Sequence, residues 1–246
     1  VSEIGVIYTT RGADQTFRQR LLRFIDSYLC HQAGIDHKLY VIYKEFDDPE
    51  DVLWAKEKLY LLKPIHIEEY NGFNSNGGAG IFLDASKHVA EPLICCLNTS
   101  SEIMHDNWLK ILHLAYIQPT VGLVGCSGSY GFITEIFQGS CYYPNVHIRG
   151  TAFLIHKEHY QAVTSGFDFS KRDLILSTGV SINRDYFDWE FGPRSMTRQI
   201  MNMGKTVLVA EKDRIIAPHQ WGDTTYRGNL HNLLINDRGS RDFQDL

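Results

Sequence analysis

The segment Asp185-Tyr186-Phe187-Asp188-Trp189-Glu190-Phe191-Gly192 sets three carboxylates among aromatic rings, just ahead of a helix that Ser195 would cap. Aromatic walls desolvate a carboxyl group and raise its pKa, which suits a general base near neutral pH. The plainer reading is an amphipathic loop, acids in water and rings inward. So many rings and acids in so short a stretch favour chemistry. Five other clusters compete for attention. Thr9-Thr10-Arg11 offers hydroxyls and a guanidinium to a phosphate or nucleotide, since arginine binds oxyanions through paired donors; alone it reads equally as an ordinary polar turn. Glu45 and Asp47 follow the second strand, where an acid can accept from a ribose or base, whereas Asp48, Glu50 and Asp51 read as a solvated helix start.

The third cluster is the loop Asn71-Gly72-Phe73-Asn74-Ser75-Asn76-Gly77-Gly78-Ala79-Gly80, whose glycines allow close backbone approach to a ligand. It lacks the Gly-Lys-Ser/Thr of a phosphate-binding P-loop and the spacing of a dinucleotide fingerprint. Beyond it, the apolar run Leu93–Leu97 gives way to Asn98-Thr99-Ser100-Ser101-Glu102. Ligands of open α/β sheets bind at the carboxyl ends of strands, so this polar cluster is a natural site. The last is Pro218-His219-Gln220-Trp221, where His219 can serve as a metal ligand or phosphate contact. With 11 histidines in the chain, chance proximity competes with that role.

The elements that must position these residues follow from periodicity. Strands are expected at 3–8, 38–43, 65–70, 93–97, 121–126, 147–156 and 206–210. Helices are expected at 15–33 with Gly34 as its cap, at 50–61, after the glycine loop, and at 107–116. Further helices are expected at 157–163 and at 196–203 between Ser195 and Gly204. Residues 127–143 and 164–186 read as irregular loops, and a short helix is expected near 229–236. Strand–helix alternation implies a mostly parallel α/β sheet flanked by helices.

Composition adds exclusions. At 246 residues and 43% hydrophobic content, the chain can build a substantial core. A net charge of -5 argues against a nucleic-acid binder. Arg18, Arg20 and Arg23 recur at helical spacing and read as a solvated face. Cys95 and Cys96 are neighbours in a buried strand, so they point to opposite faces and read as thiols in a reducing compartment. No Cys/His spacing resembles a zinc site, and no apolar run reaches the ~18 residues of a membrane span. The start at Val1 is read as a domain cut from a longer polypeptide.

Taken in order, the Thr-x-Arg turn, the Asn/Gly loop, the strand ending at Asn98, the Trp-Glu-x-Gly segment running into SMTRQIMNMGKTVLV, and the closing NLLINDRGSRDF resemble bacterial glycosyltransferases of the GT-A fold, inverting family 2 type. The resemblance covers most of the chain and implies one GT-A domain over 1–246, with a donor half about 1–105 and an acceptor side about 106–246. It implies a nucleotide-sugar donor bound by Thr9, Arg11, Glu45, Asn74, Gly77, Asn98 and Ser100. Glu190, with Asp188 beside it, takes the place of the catalytic base. His219 matches a late histidine on the metal or diphosphate, and Glu102 is an alternative carboxylate ligand for Mn2+ or Mg2+. The acceptor would be a glycan or lipid-linked saccharide in bacterial polysaccharide biosynthesis, with a cytoplasmic enzyme working at the inner membrane face.

One departure is large. Asn98-Thr99-Ser100 occupies the Asp-x-Asp position, and hard cations prefer carboxylate oxygens. Arg11, Arg149, Arg194 or Arg198 would then supply positive charge without a metal. The same loss motivates a second reading, a module of this fold that binds nucleotide, glycan or protein partner without turnover. A nucleotidyltransferase needs metal-binding carboxylates even more and ranks third.

Overall fold

The computed structural model describes residues 3–70, 78–129, 146–171, 173–175, 181–223 and 230–237. Eight strands form its main sheet: β1 (Ile4–Arg11), β2 (Lys38–Lys44), β3 (Ile65–Tyr70), β4 (Leu93–Leu97), β5 (Val121–Gly125), β6 (Ala152–His156), β7 (Thr206–Ala210) and β8 (Ile215–Ile216). Their order is β8-β7-β5-β6-β4-β1-β2-β3. The neighbours within β3-β2-β1-β4 pair in parallel, as do β5 and β7. β6 runs antiparallel between β4 and β5, and β8 closes the far edge antiparallel to β7. The fold is α/β, mostly parallel, with helices on both faces.

Alternation along the strands feeds two cores. Ile4, Val6, Tyr8 and Cys95 face one layer, packed by α1 (Phe17–Cys30), α2 (Pro49–Leu59) and α4 (Trp108–Tyr116). Ile7, Ile94 and Cys96 face the other, packed by α3 (Gly78–Ser86), α5 (Lys157–Thr164), α6 (Arg184–Phe191) and α7 (Met196–Asn202). Cys95 and Cys96 are both fully buried free thiols, and burial pushes both thiol pKa values up. No described helix is long and apolar enough to cross a membrane.

Several expected boundaries are corrected. β1 continues through Arg11, so Thr9, Thr10 and Arg11 are strand residues and not a turn. α1 ends at Cys30, and Gly34 lies beyond it at φ 78°, packed against Asn107. The expected strand at 147–156 is broken into His147–Ile148 and Ala152–His156. Within the stretch read as loop, Leu174–Ile175 pairs with Ser181–Ile182, and 184–191 is helical, started by Asn183, whose side chain accepts from the Tyr186 N–H. The expected helix near 229–236 is instead a 3-10 turn, Leu230–Asn232, and a strand Ile235–Asn236 that pairs with Glu102–Ile103. α7, capped by Ser195 and followed by Gly204 at φ 74°, matches its expectation.

At the amino end of the parallel strands, the buried Glu91 carboxylate accepts from Tyr40 Oη at 2.8 Å and from Lys38 Nζ at 2.8 Å. Burial pushes its pKa up, but the bonds from Lys38 and Tyr40 win and hold it low. A depressed carboxylate pKa contributes stability above its unfolded value, lost as pH falls through the folded one. Glu91→Ala, which strands the buried Tyr40 hydroxyl, should cost about 1–3 kcal/mol at neutral pH. In urea melts the gap to wild type should narrow below about pH 4.3, the unfolded glutamate pKa.

Candidate functional site

The carboxyl ends of β1 and β2 carry a charged network. Arg11 Nε donates to Glu45 Oε2 at 2.5 Å, and Arg11 also meets Asp14 at 3.0 Å. Arg20 joins Asp14, and the buried Lys44 ammonium lies 3.1 Å from Glu45. Glu45 holds φ at 50°, a strained value for a non-glycine residue that persists only when neighbours fix it. Burial raises the Glu45 pKa, yet Lys44 and Arg11 together hold it low; burial lowers that of Lys44 against the pull of Glu45. Gly12 closes the corner, since a Cβ there would lie 2.7 Å from the Phe46 ring. Beside this network the Thr9 hydroxyl is buried with no hydrogen-bond partner among the described residues.

At the end of β4, Asn98 Oδ1 accepts from the Ser100 N–H at 3.0 Å and from Ser101 Oγ at 3.1 Å. The tight turn this makes consumes the amide oxygen within the protein. A neutral oxygen already accepting two bonds is a poor ligand for Mn2+ or Mg2+. Glu102 turns away, lining a cavity of about 580 Å3 beside α1 with Arg23 and Asp26. His219 is exposed on the 3-10 turn Pro218–Asp223, whose anchor is the buried Trp221 over Gly128. Among the described residues no group of three or more His, Cys, Asp or Glu is arranged to hold a metal ion. The donor set does not fit the cation that the resemblance implies. Asn74 and Gly77 lie outside the described residues.

The start of β6 supplies the rest. Because β6 runs antiparallel, its amino end lies beside the carboxyl end of β4, and the Asn98 N–H donates to Thr151 O at 3.1 Å. The Arg149 N–H donates to Ser127 O at 3.1 Å, and the Gly150 N–H to Glu190 Oε1 at 3.1 Å. The Ile148 N–H donates to Thr197 Oγ1 of α7 at 2.8 Å. Glu190 thus reaches the same edge as Asn98, although the two are far apart in sequence. The Tyr186 hydroxyl also bonds Glu190; burial first, then the charge of Glu190, raises its pKa, against the pull of Arg149. Asp237, missed by sequence reading, completes this cluster with its buried carboxylate 3.3 Å from Arg149 Nη1.

Asp188 is drawn elsewhere. Arg194 donates to it from Nε at 2.7 Å and from its backbone N–H at 3.0 Å, while its Nη2 reaches Asp185 at 3.1 Å. The guanidinium also lies 4.3 Å from the Phe167 ring centroid. Asp188 therefore ties the α6–α7 corner together.

No protein-family model and no curated protein sequence matches this chain. Among solved structures it is similar to a mannosyltransferase from Pyrobaculum calidifontis, solved with GDP-Man and Mn2+. The TM-score is 0.52 at 15% identity, covering 83% of this chain and 53% of the other, so the chain spans about half its length. S. aureus TarS aligns at TM-score 0.45 and 12% identity, over 68% of this chain and 30% of that one. A CMP:2-keto-3-deoxy-manno-octonic acid synthetase complexed with CTP aligns at 0.45 and 11%, over 85% and 89%. The chain shares the α/β sheet architecture of the Pyrobaculum calidifontis mannosyltransferase.

Gly150 is the joint on which the site turns. A Cβ there would lie 2.8 Å from Trp189 Cζ3 and 3.4 Å from Glu190 Oε1, and Trp189 is fully buried among Phe153, Tyr160, Phe169 and Tyr186. Gly150→Ala should therefore overpack this cluster and lose about 1–3 kcal/mol. Chemical denaturation followed by tryptophan fluorescence checks it.

Proposed function

We propose that this chain is a glycosyltransferase that moves a sugar from a nucleotide-sugar donor to a hydroxyl of a glycan or lipid-linked saccharide. What carries the reading is the docking of Glu190 on the Gly150 N–H at the strand edge that also holds Asn98. The donor half, about 1–105, offers the orphan Thr9 hydroxyl and the Arg11–Glu45–Lys44 network to the nucleotide. Asn74, Gly77, Asn98 and Ser100 belong to that half by resemblance.

Glu190 acts as general base. Its carboxylate takes the proton of the acceptor hydroxyl as that oxygen bonds to the anomeric carbon. The bond from that carbon to the phosphate oxygen breaks, and its electron pair leaves with the nucleoside diphosphate. One displacement inverts the anomeric centre. The Gly150 N–H and the Tyr186 hydroxyl both donate to the Glu190 carboxylate, which has lone pairs for several donors. The setting that fits such a reaction is polysaccharide assembly at the inner face of a bacterial membrane.

Glu190→Gln preserves shape and should lower transfer by about 10²–10⁴-fold with little change in melting temperature. Asp188→Ala should instead lose about 1–3 kcal/mol of stability by removing the acceptor of the Arg194 backbone N–H and Nε at the α6–α7 corner. The measurement is transfer from UDP-, GDP- and dTDP-linked sugars across an acceptor panel, beside thermal melts. Full activity in Glu190→Gln would remove that residue from the base role. Sugar-nucleotide binding without turnover would favour a binding module instead.

A further inference from the structure

We propose, resting on the reading of the chain as a nucleotide-sugar transferase, that Arg149, positioned by Asp237, neutralises the leaving diphosphate in place of a divalent cation at residues 98–100. The turn after β4 offers neutral oxygens, and the amide oxygen of Asn98 is engaged by Ser100 and Ser101. Glu102 faces the α1 cavity. At the same edge a guanidinium stands ready. Arg149 is one residue from Gly150, which holds Glu190, and two from Thr151, which holds Asn98. Its backbone is pinned by the bond to Ser127.

Asp237 explains how this cation is kept in place. Its side chain is 4% exposed and that of Arg149 is 18% exposed, with Nη1 between the two carboxylate oxygens at 3.3 and 3.5 Å. A guanidinium this buried requires a counter-charge and a fixed direction. Asp237 is itself held by the pairing of Ile235–Asn236 with Glu102–Ile103, the short strand that follows the Asn98 turn. The carboxylate of Asp237 thus orients an organic cation where related enzymes would orient a metal. Arginine has five donors in a planar fork, which matches phosphate oxygens in pairs. Of the other candidate arginines, Arg11 pairs with Glu45 and Asp14, and Arg194 with Asp188 and Asp185.

The test is calorimetric binding of UDP, GDP and dTDP, and of the matching nucleosides, in EDTA and in millimolar MnCl2. It is run on wild type, Arg149→Ala, Arg149→Lys and Asp237→Asn, each checked by circular dichroism. For wild type, a diphosphate should bind equally well in both buffers. Arg149→Ala should weaken the diphosphate about 10–100-fold and leave the nucleoside unchanged; Arg149→Lys should recover part of the loss. Asp237→Asn should weaken the diphosphate less, by about 3–10-fold, as expected of a partner lost at one remove. Binding that collapses in EDTA and returns with Mn2+ overturns the proposal, as does an Arg149→Ala protein that binds diphosphate like wild type. The EDTA arm on wild type decides the matter even where a variant does not fold. If no nucleoside diphosphate binds in either buffer, the nucleotide-sugar reading itself falls and takes this inference with it.

Discussion

The candidate site depends on one strand running the wrong way. β6 enters antiparallel between β4 and β5, pairing Leu97 with Ala152 and Gly125 with Phe153. Had it run parallel, its amino end would lie at the opposite edge of the sheet, and residues 149–151 with it. Because it does not, backbone donors and acceptors at its start are offered to the end of β4 on one side and to Glu190 on the other. A slip of one residue in this register would turn every side chain of β6 to the other face. That error is opposed by Phe153 and Ile155 in one core and Ala152 and Leu154 in the other, all buried. Packing of the strand therefore fixes the geometry of polar groups that have no packing role.

The edge so built has two electrostatic characters. Around β1 and β2, Arg11, Arg20 and Lys44 outnumber Asp14 and Glu45, and the pairs are short and interlocked. Around β6, Glu190 and Asp237 share Tyr186 and Arg149. On the proposed reading the first group meets an anionic nucleotide, and the second takes the proton of an acceptor hydroxyl. In a low-dielectric edge the two demands would conflict if mixed. The sheet separates them by spacing them along different strands, and Arg149 is the cation that sits among the acids.

Much of this fold is legible in the sequence because buried strands declare themselves. Leu93–Leu97 and Thr206–Ala210 are short, mostly apolar runs whose limits coincide with those of the strands, since both faces of those strands are covered. α6 was not legible, because its acids and rings alternate without a clear stripe; tertiary packing of Trp189 and Phe191 decides it. The choice between Asp188 and Glu190 was equally hidden. On a helix, residues two apart face different ways, so one meets Arg194 and the other meets Gly150, and nothing local says which. Asp237 gave a weaker signal still. It follows a two-residue strand in a polar tail, and its role arises only from pairing with residues more than a hundred positions earlier.

The neutral turn at Asn98 is then a consistent feature and not a simple loss. On the proposed reading, Glu190 and Asp237 already bring two negative charges to the neighbourhood of one guanidinium. Aspartates at 98 and 100 would make four, and a dry strand edge tolerates unbalanced charge poorly unless a cation is bound. Asparagine keeps the turn, because its amide oxygen still accepts from Ser100 and Ser101, while adding no charge. An aspartate there could make the same two bonds, so the fold does not require asparagine. On that reading, the neutral side chain in the turn after β4 and the carboxylate beyond the last short strand serve one charge balance around Arg149.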